Sequence, residues 1–154
     1  MAVKSRGLVL DERFRALSRC APIGIFTTDA DGRTTYVNPR YEEICGFALT
    51  DCLRRGWASF LHPDDRQAAS AEWSRCAREG HEYVHEHRFV GPMGEVRWVR
   101  TRAAPMLEDG RLIGHVGAVE DITDEKGTEI VRAESEARRR VGQALVGVVG
   151  GSPP

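Results

Sequence analysis

The chain lacks most of the features that mark catalysts, membrane proteins and nucleic-acid binders. Its four cysteines, Cys20, Cys45, Cys52 and Cys76, stand far apart with no C-x-x-C pair. That pattern argues against a disulfide or zinc framework and for buried, reduced thiols, so no metal site is assigned. No apolar run approaches the ~20 residues of a membrane span, and Met1 to Leu10 lacks the apolar core of a signal peptide. The expectation is a cytoplasmic protein with no membrane contact. A net charge of −1 over 154 residues leaves no electrostatic case for nucleic acid. Gly-rich phosphate loops, nucleophile elbows and His-Glu metal motifs are also missing. An enzyme is therefore not expected, and no catalytic residue is assigned.

What is present is a clear alternation of strand and helix signals. From Val96 to Met106, Val99, Thr101 and Ala103 share one side of a strand, and Trp98, Arg100 and Arg102 share the other. Glu108-Asp109-Gly110 is turn chemistry, and a second strand, Arg111 to Ile122, returns antiparallel. Gly114 and Gly117 within it point to something approaching the sheet closely. Upstream, Glu82 to Val90 reads as a strand, and Ile23 to Thr28 pairs with Arg33 to Asn38 across Asp29-Ala30-Asp31-Gly32.

Helices fill the intervals. Asp11 can cap a lead-in helix over 11–21, with Phe14, Leu17 and Ala21 at helical spacing and Pro22 as its stop. Pro39 opens a short helix that ends at Gly46, and helical turns continue through Leu49 to Leu61. At His62-Pro63-Asp64-Asp65 the pattern reads as a helix start, with His62 near the cap and both carboxylates at the positive end of the dipole. That helix runs to about Arg78. The order predicts an α+β domain, 22–123, with one antiparallel sheet covered by helices on one face. A charged helix over 124–146 follows, with Ile130, Ala133, Ala137, Val141 and Leu145 as its apolar stripe. Residues 1–10 and the glycine- and proline-rich 147–154 are expected to be disordered.

These pieces resemble the PAS sensory-domain family, in particular members with an HPDDR segment and a C-terminal PAC motif. The resemblance is carried by Asp29-x-Asp31-Gly32, Tyr36-Val37-Asn38, Tyr41, Gly46-Phe47, His62-Pro63-Asp64-Asp65-Arg66, Glu86-x-Arg88, Gly94-x-x-x-Trp98-Val99, Pro105, Asp109-Gly110, Gly117 and Asp121-Ile122-Thr123. It implies a five-stranded sheet of order 2-1-5-4-3 with flanking N- and C-terminal helices. It also implies a pocket between sheet and helices, and a sensing or partner-contact role in a regulator of two-component or diguanylate type. No ligand is implied, because members of the family bind haem, flavin, small acids or nothing on one scaffold. Flavin-binding light sensors of the family place a reactive cysteine where this chain has Ala58. Haem-binding members draw a histidine from the long central helix, and Asp64 to Arg78 holds none. Flavin and haem are accordingly not expected.

Period two then yields pocket candidates. If Phe89 faces inward, so do His87, His85 and Tyr83; if Val119 does, so do Gly117 and His115. The pocket set is Ile25, Val37, Tyr41, Ile44, Phe60, Leu61, His87, Phe89, Val99, Thr101, His115 and Val119. His87 and His115 lie on strands separated by one other, ~10 Å apart at ~4.8 Å per strand. Such a span is too wide for chelation by those two alone and suits opposite walls of a cavity. Either they are histidines hydrogen-bonded within the core, or they hold a polar small-molecule ligand. On the outer face, Trp98, Val116 and Ala118 form an apolar strip rimmed by Arg88, Arg100, Arg102 and Glu86. Together with Phe14 and Leu17 they are the candidate interface of a homodimer, with packing of Trp98 against its own flanking helix as the alternative. Asp121, Ile122 and Thr123 resemble the family's junction to an output helix. In that reading Asp121 pairs with a base on the outer sheet and Thr123 caps the helix. Two functions stay open: a ligand-sensing module that signals to a downstream protein or effector domain, and a ligand-independent dimerisation module.

Overall fold

The structure, a computed structural model, describes residues 2–149, with side chains described over 11–147. It falls into two units, one ending at Asp121 and one beginning at Ile122. The first holds α1 (Ala2–Cys20), β1 (Gly24–Thr28), β2 (Thr34–Val37), α2 (Pro39–Cys45), α3 (Leu49–Arg55), a 3-10 turn (Trp57–Phe60), α4 (Pro63–Glu79), β3 (Tyr83–Val90), β4 (Val96–Glu108) and β5 (Arg111–Asp121). The strands form one antiparallel five-stranded sheet in the order β2-β1-β5-β4-β3, as the resemblance implied.

Local chemistry explains most boundaries. Asn38 accepts the Tyr41 N–H at the start of α2, Pro39 takes the first helical position, and Gly46 closes the helix at φ 80°. The same buried Asn38 accepts the Ile25 N–H and donates to the carbonyls of Ser18 and Ile23. One amide thus ties the end of α1 to β1 and α2, and all these backbone groups are satisfied away from water. His62 caps α4 through Nδ1, which accepts the Asp64 N–H at 3.2 Å, with Pro63 following it. The β4–β5 hairpin turns through Asp109 and Gly110, both at positive φ, as a two-residue turn demands. Gly117 answers the question its position raised: a Cβ there would run into the ring of Phe26, and one on Gly114 into the carbonyl of Thr28. The close approach comes from β1 itself.

Three expectations are corrected. The helix α1 begins at Ala2 rather than Asp11, so the backbone of 2–10 is helical and not disordered. No proline interrupts Ala2–Leu10, and Asp11 lies inside the helix instead of capping it. Met1 lies outside the described residues. Cys20 is exposed, unlike Cys45, Cys52 and Cys76, because it sits on the solvent side of the last turn of α1.

The second unit is α5 (Thr123–Val149). Helix therefore includes Thr123 and continues through 147–149, where disorder was expected; Gly150–Pro154 lie outside the described residues. Its apolar stripe is present and exposed, with Ile130, Val141 and Leu145 each more than half accessible. No described helix is long and apolar enough to cross a membrane.

Candidate functional site

The inner face of the sheet and the helices above it enclose a cavity of about 30 Å³. Its floor is side chains from one face of each strand: Phe26 and Thr28 from β1, Thr34 from β2, Tyr83, His87 and Phe89 from β3, Thr101 from β4 and Val119 from β5. Tyr41 of α2 and Gly32 form one wall, and Trp73 of α4 and Trp57 of the 3-10 turn close it. Trp73 is held by its indole N–H, which donates to the Gly32 carbonyl at 3.1 Å. Around it, edge-on contacts run to Phe26 at 6.3 Å, Tyr83 at 5.2 Å and Trp57 at 6.4 Å. This is the geometry that ring quadrupoles favour.

The lining carries no Lys, Arg, Asp or Glu. Burial raises the Tyr41 and Tyr83 pKa values, keeping both phenols protonated. Burial first, and then the neighbouring His85, lowers the His87 pKa to about 4, so its imidazole is neutral at pH 7. The cavity is therefore uncharged, with hydroxyls and one imidazole as its polar groups. A charged organic group entering it would find no opposite charge, a costly arrangement.

Five of the pocket residues expected from the sequence line this cavity: Tyr41, His87, Phe89, Thr101 and Val119. Val37, Ile44, Leu61 and Val99 are buried in the surrounding core but do not reach it, and Phe60 stacks on Phe47 at 4.2 Å, away from it. Ile25 is a correction. It points to the outer face, and Phe26 points inward, because β1 pairs Phe26 with Val37 and Gly117. Both residues are apolar and both faces of β1 are covered, so parity was ambiguous there.

His115 is fully buried, but it does not face His87 across the cavity. His87 pairs with Val99, and Val99 with Asp121; His115 is six positions back along β5, roughly 20 Å at ~3.3 Å per residue. It lies instead against Trp73, 5.2 Å between ring centroids, with Nε2–H donating to the His81 carbonyl at 3.3 Å. The same register puts Asp121 on the inward-facing row, not on the outer face where a basic partner was expected. Ile122 is buried, and Thr123 is the first residue of α5.

Sequence reasoning missed Trp57, Trp73, Phe26, Thr28 and Thr34. For Trp73 a signal existed: Ala69, Trp73, Cys76 and Ala77 follow helical spacing and are all buried.

The HPDDR segment braces the edge of the site. Asp65 accepts from the Arg88 backbone N–H at 2.8 Å and from its guanidinium at 2.8 and 2.7 Å. The His62 N–H donates to the Arg88 carbonyl at 2.8 Å. Hydrogen bonds from Arg88 hold the Asp65 pKa below its ordinary value. On the outer face the Arg88 guanidinium lies 5.0 Å from the Trp98 ring centroid, and Arg100 bridges Glu86 and Glu120. A groove of about 420 Å³ there is lined by Phe14, Ile25, Val84, Val116 and Ala118 among others. Phe14 meets Tyr36 edge-on at 5.8 Å, while Leu17 is 66% exposed.

Comparison with known proteins agrees with this architecture. Over 130 residues the chain is 35% identical to the uncharacterized protein y4lL of Sinorhizobium fredii, covering 84% of this chain and 16% of that protein. It is 30% identical over 140 residues to the C4-dicarboxylate transport sensor protein DctS of Rhodobacter capsulatus, covering 85% of this chain and 20% of DctS. The chain thus spans a fifth or less of these relatives. Among solved structures, a sensory box histidine kinase/response regulator from Burkholderia thailandensis superposes with a TM-score of 0.63 at 25% identity, covering 83% of this chain and 98% of that one. The family model described as PAS fold matches residues 20–127, and the chain belongs to that family.

Proposed function

We propose that this domain is the sensory module of a signalling regulator, and that it responds to a small uncharged molecule in the cavity beneath Trp57 and Trp73. The observation that carries this reading is the cavity, whose lining is largely aromatic and free of charged side chains. A volume of about 30 Å³ is room for water or a molecule of a few heavy atoms, since one water needs ~10–15 Å³ by this measure. A larger occupant requires Trp57 to move. Trp57 is half-buried on a short 3-10 turn that follows Gly56 at φ 75°. Val119 in the cavity wall and Asp121 are on the strand that leads directly into α5, so the backbone itself can pass the state of the cavity to the output helix. Relatives such as DctS and the sensor histidine kinase TmoS are sensor proteins, which supports a kinase-type partner downstream.

Native and denaturing mass spectrometry of freshly purified protein, with Thr101→Leu as a cavity-filling control, tests this. A bound mass released on denaturation and missing from the folded variant is the expected result; equal retention by both moves the site elsewhere. A flavin or haem absorption band would overturn the reading of an uncharged, small-ligand cavity. A second reading, a dimerisation module independent of ligand, is favoured by the apolar outer groove and exposed Leu17.

A further inference from the structure

We propose that His85 and His87 form a chelating pair for a divalent transition-metal ion of the zinc type at the edge strand of the sheet. The two side chains leave β3 two residues apart and so project from the same face. His87 is buried and His85 half-buried, which gives the pair one side in the interior and one toward solvent.

Their Nδ1 atoms are 3.1 Å apart and their ring centroids 5.4 Å apart, with the planes tilted by 31°. Two Zn–N bonds of ~2.0–2.1 Å at a tetrahedral ion place their nitrogens about 3.3 Å apart. A shift of a few tenths of an ångström therefore turns this contact into a chelate. Without metal, one Nδ1 must carry a hydrogen and the other accept it, and the ion takes the place of that shared proton. The rings are already oriented. Tyr83 stacks on His85 with centroids 5.9 Å apart and planes 13° from parallel. Thr101 Oγ1 lies 3.5 Å from His87 Nε2, where an outer contact helps set the orientation of a metal-bound imidazole. Neutral imidazole is the ligand form.

Among the described residues no group of three or more His, Cys, Asp or Glu gathers around one point. The remaining coordination positions fall to water or to a small molecule.

Titration of the untagged full chain with Zn2+ against a chromophoric chelator tests the proposal. One equivalent per chain is expected, with affinity falling at least about tenfold in His85→Ala. His81→Gln and Cys20→Ser, which remove other accessible donors, should leave affinity unchanged. Because His87 is buried and its replacement risks the fold, the second measurement uses unaltered protein: Cu2+ electron paramagnetic resonance should show two imidazole nitrogens. Affinity unchanged in folded His85→Ala, a spectrum with one nitrogen or none, or no stoichiometric binding at millimolar Zn2+ would overturn it.

Discussion

His87 ties the chemistry of the cavity to the stability of the fold. Its pKa of about 4 lies below the ~6.5 of free imidazole, so between these values the unfolded chain binds more protons than the folded one. Stability is then complete above about pH 6.5 and falls as pH drops toward 4, by at most about 3 kcal/mol for this residue. His115, whose pKa burial also lowers, acts with the same sign. His87→Gln should at least halve the pH slope of the urea midpoint between neutrality and pH 4.5, and an unchanged slope would assign the acid sensitivity to other groups. Asp65 acts lower in pH. Its pKa is depressed, so its contribution is present above the ordinary carboxylate value and is lost only as pH falls below about 4. Asp65→Asn weakens three hydrogen bonds to Arg88 and should cost about 2 kcal/mol at pH 7. Chemical denaturation measures this directly; a loss under half a kilocalorie would mean that solvent screens the pair.

At the scale of elements, glycines of the two units behave in opposite ways. Gly117 on β5 faces the ring of Phe26, and an added Cβ would meet it. Gly117→Ala should therefore destabilise the sheet by about 1 to 3 kcal/mol through overpacking. Gly127 and Gly142 lie in α5 with open space around them, and the double alanine variant should gain up to about 2 kcal/mol of helix stability. Amide hydrogen exchange resolves the two outcomes by segment. Greater protection in β5 of Gly117→Ala, or lower protection in α5 of the double variant, would contradict the packing described.

At the scale of the whole molecule, exposed apolar surface bears on assembly. The outer groove, the exposed Leu17 and the stripe on α5 are apolar surface of the kind that covers itself by pairing. If the chain forms a homodimer through Phe14, Leu17, Trp98, Val116 and Ala118, Trp98→Ala should weaken it by ~2 kcal/mol or more, over tenfold in Kd. Sedimentation of the parent, of Trp98→Ala and of a chain ending at Thr123 provides the comparison. A monomeric parent at high micromolar concentration, or equal dimerisation of all three, would remove this assembly.

The sequence by itself determined the element order, the hairpins and the inward parity of β3, β4 and β5. Those are local matters: a period of two, a positive φ at Gly110, a proline and a capping side chain at a helix start. His87, Phe89, Thr101 and Val119 were legible as inward-facing because alternation needs only one anchored neighbour. What the tertiary structure decided was everything that depends on register and on packing from both sides. With Ile25 and Phe26 both apolar and both faces of β1 covered, alternation alone has two solutions, and only the pairing with Gly117 selects one. His87 and His115 share a face, but their distance along it is set by the ladder between β3, β4 and β5, which no single strand encodes. Trp57 and Trp73 come over the cavity from a 3-10 turn and a helix, and their place above the sheet is a long-range packing outcome that local periodicity cannot supply.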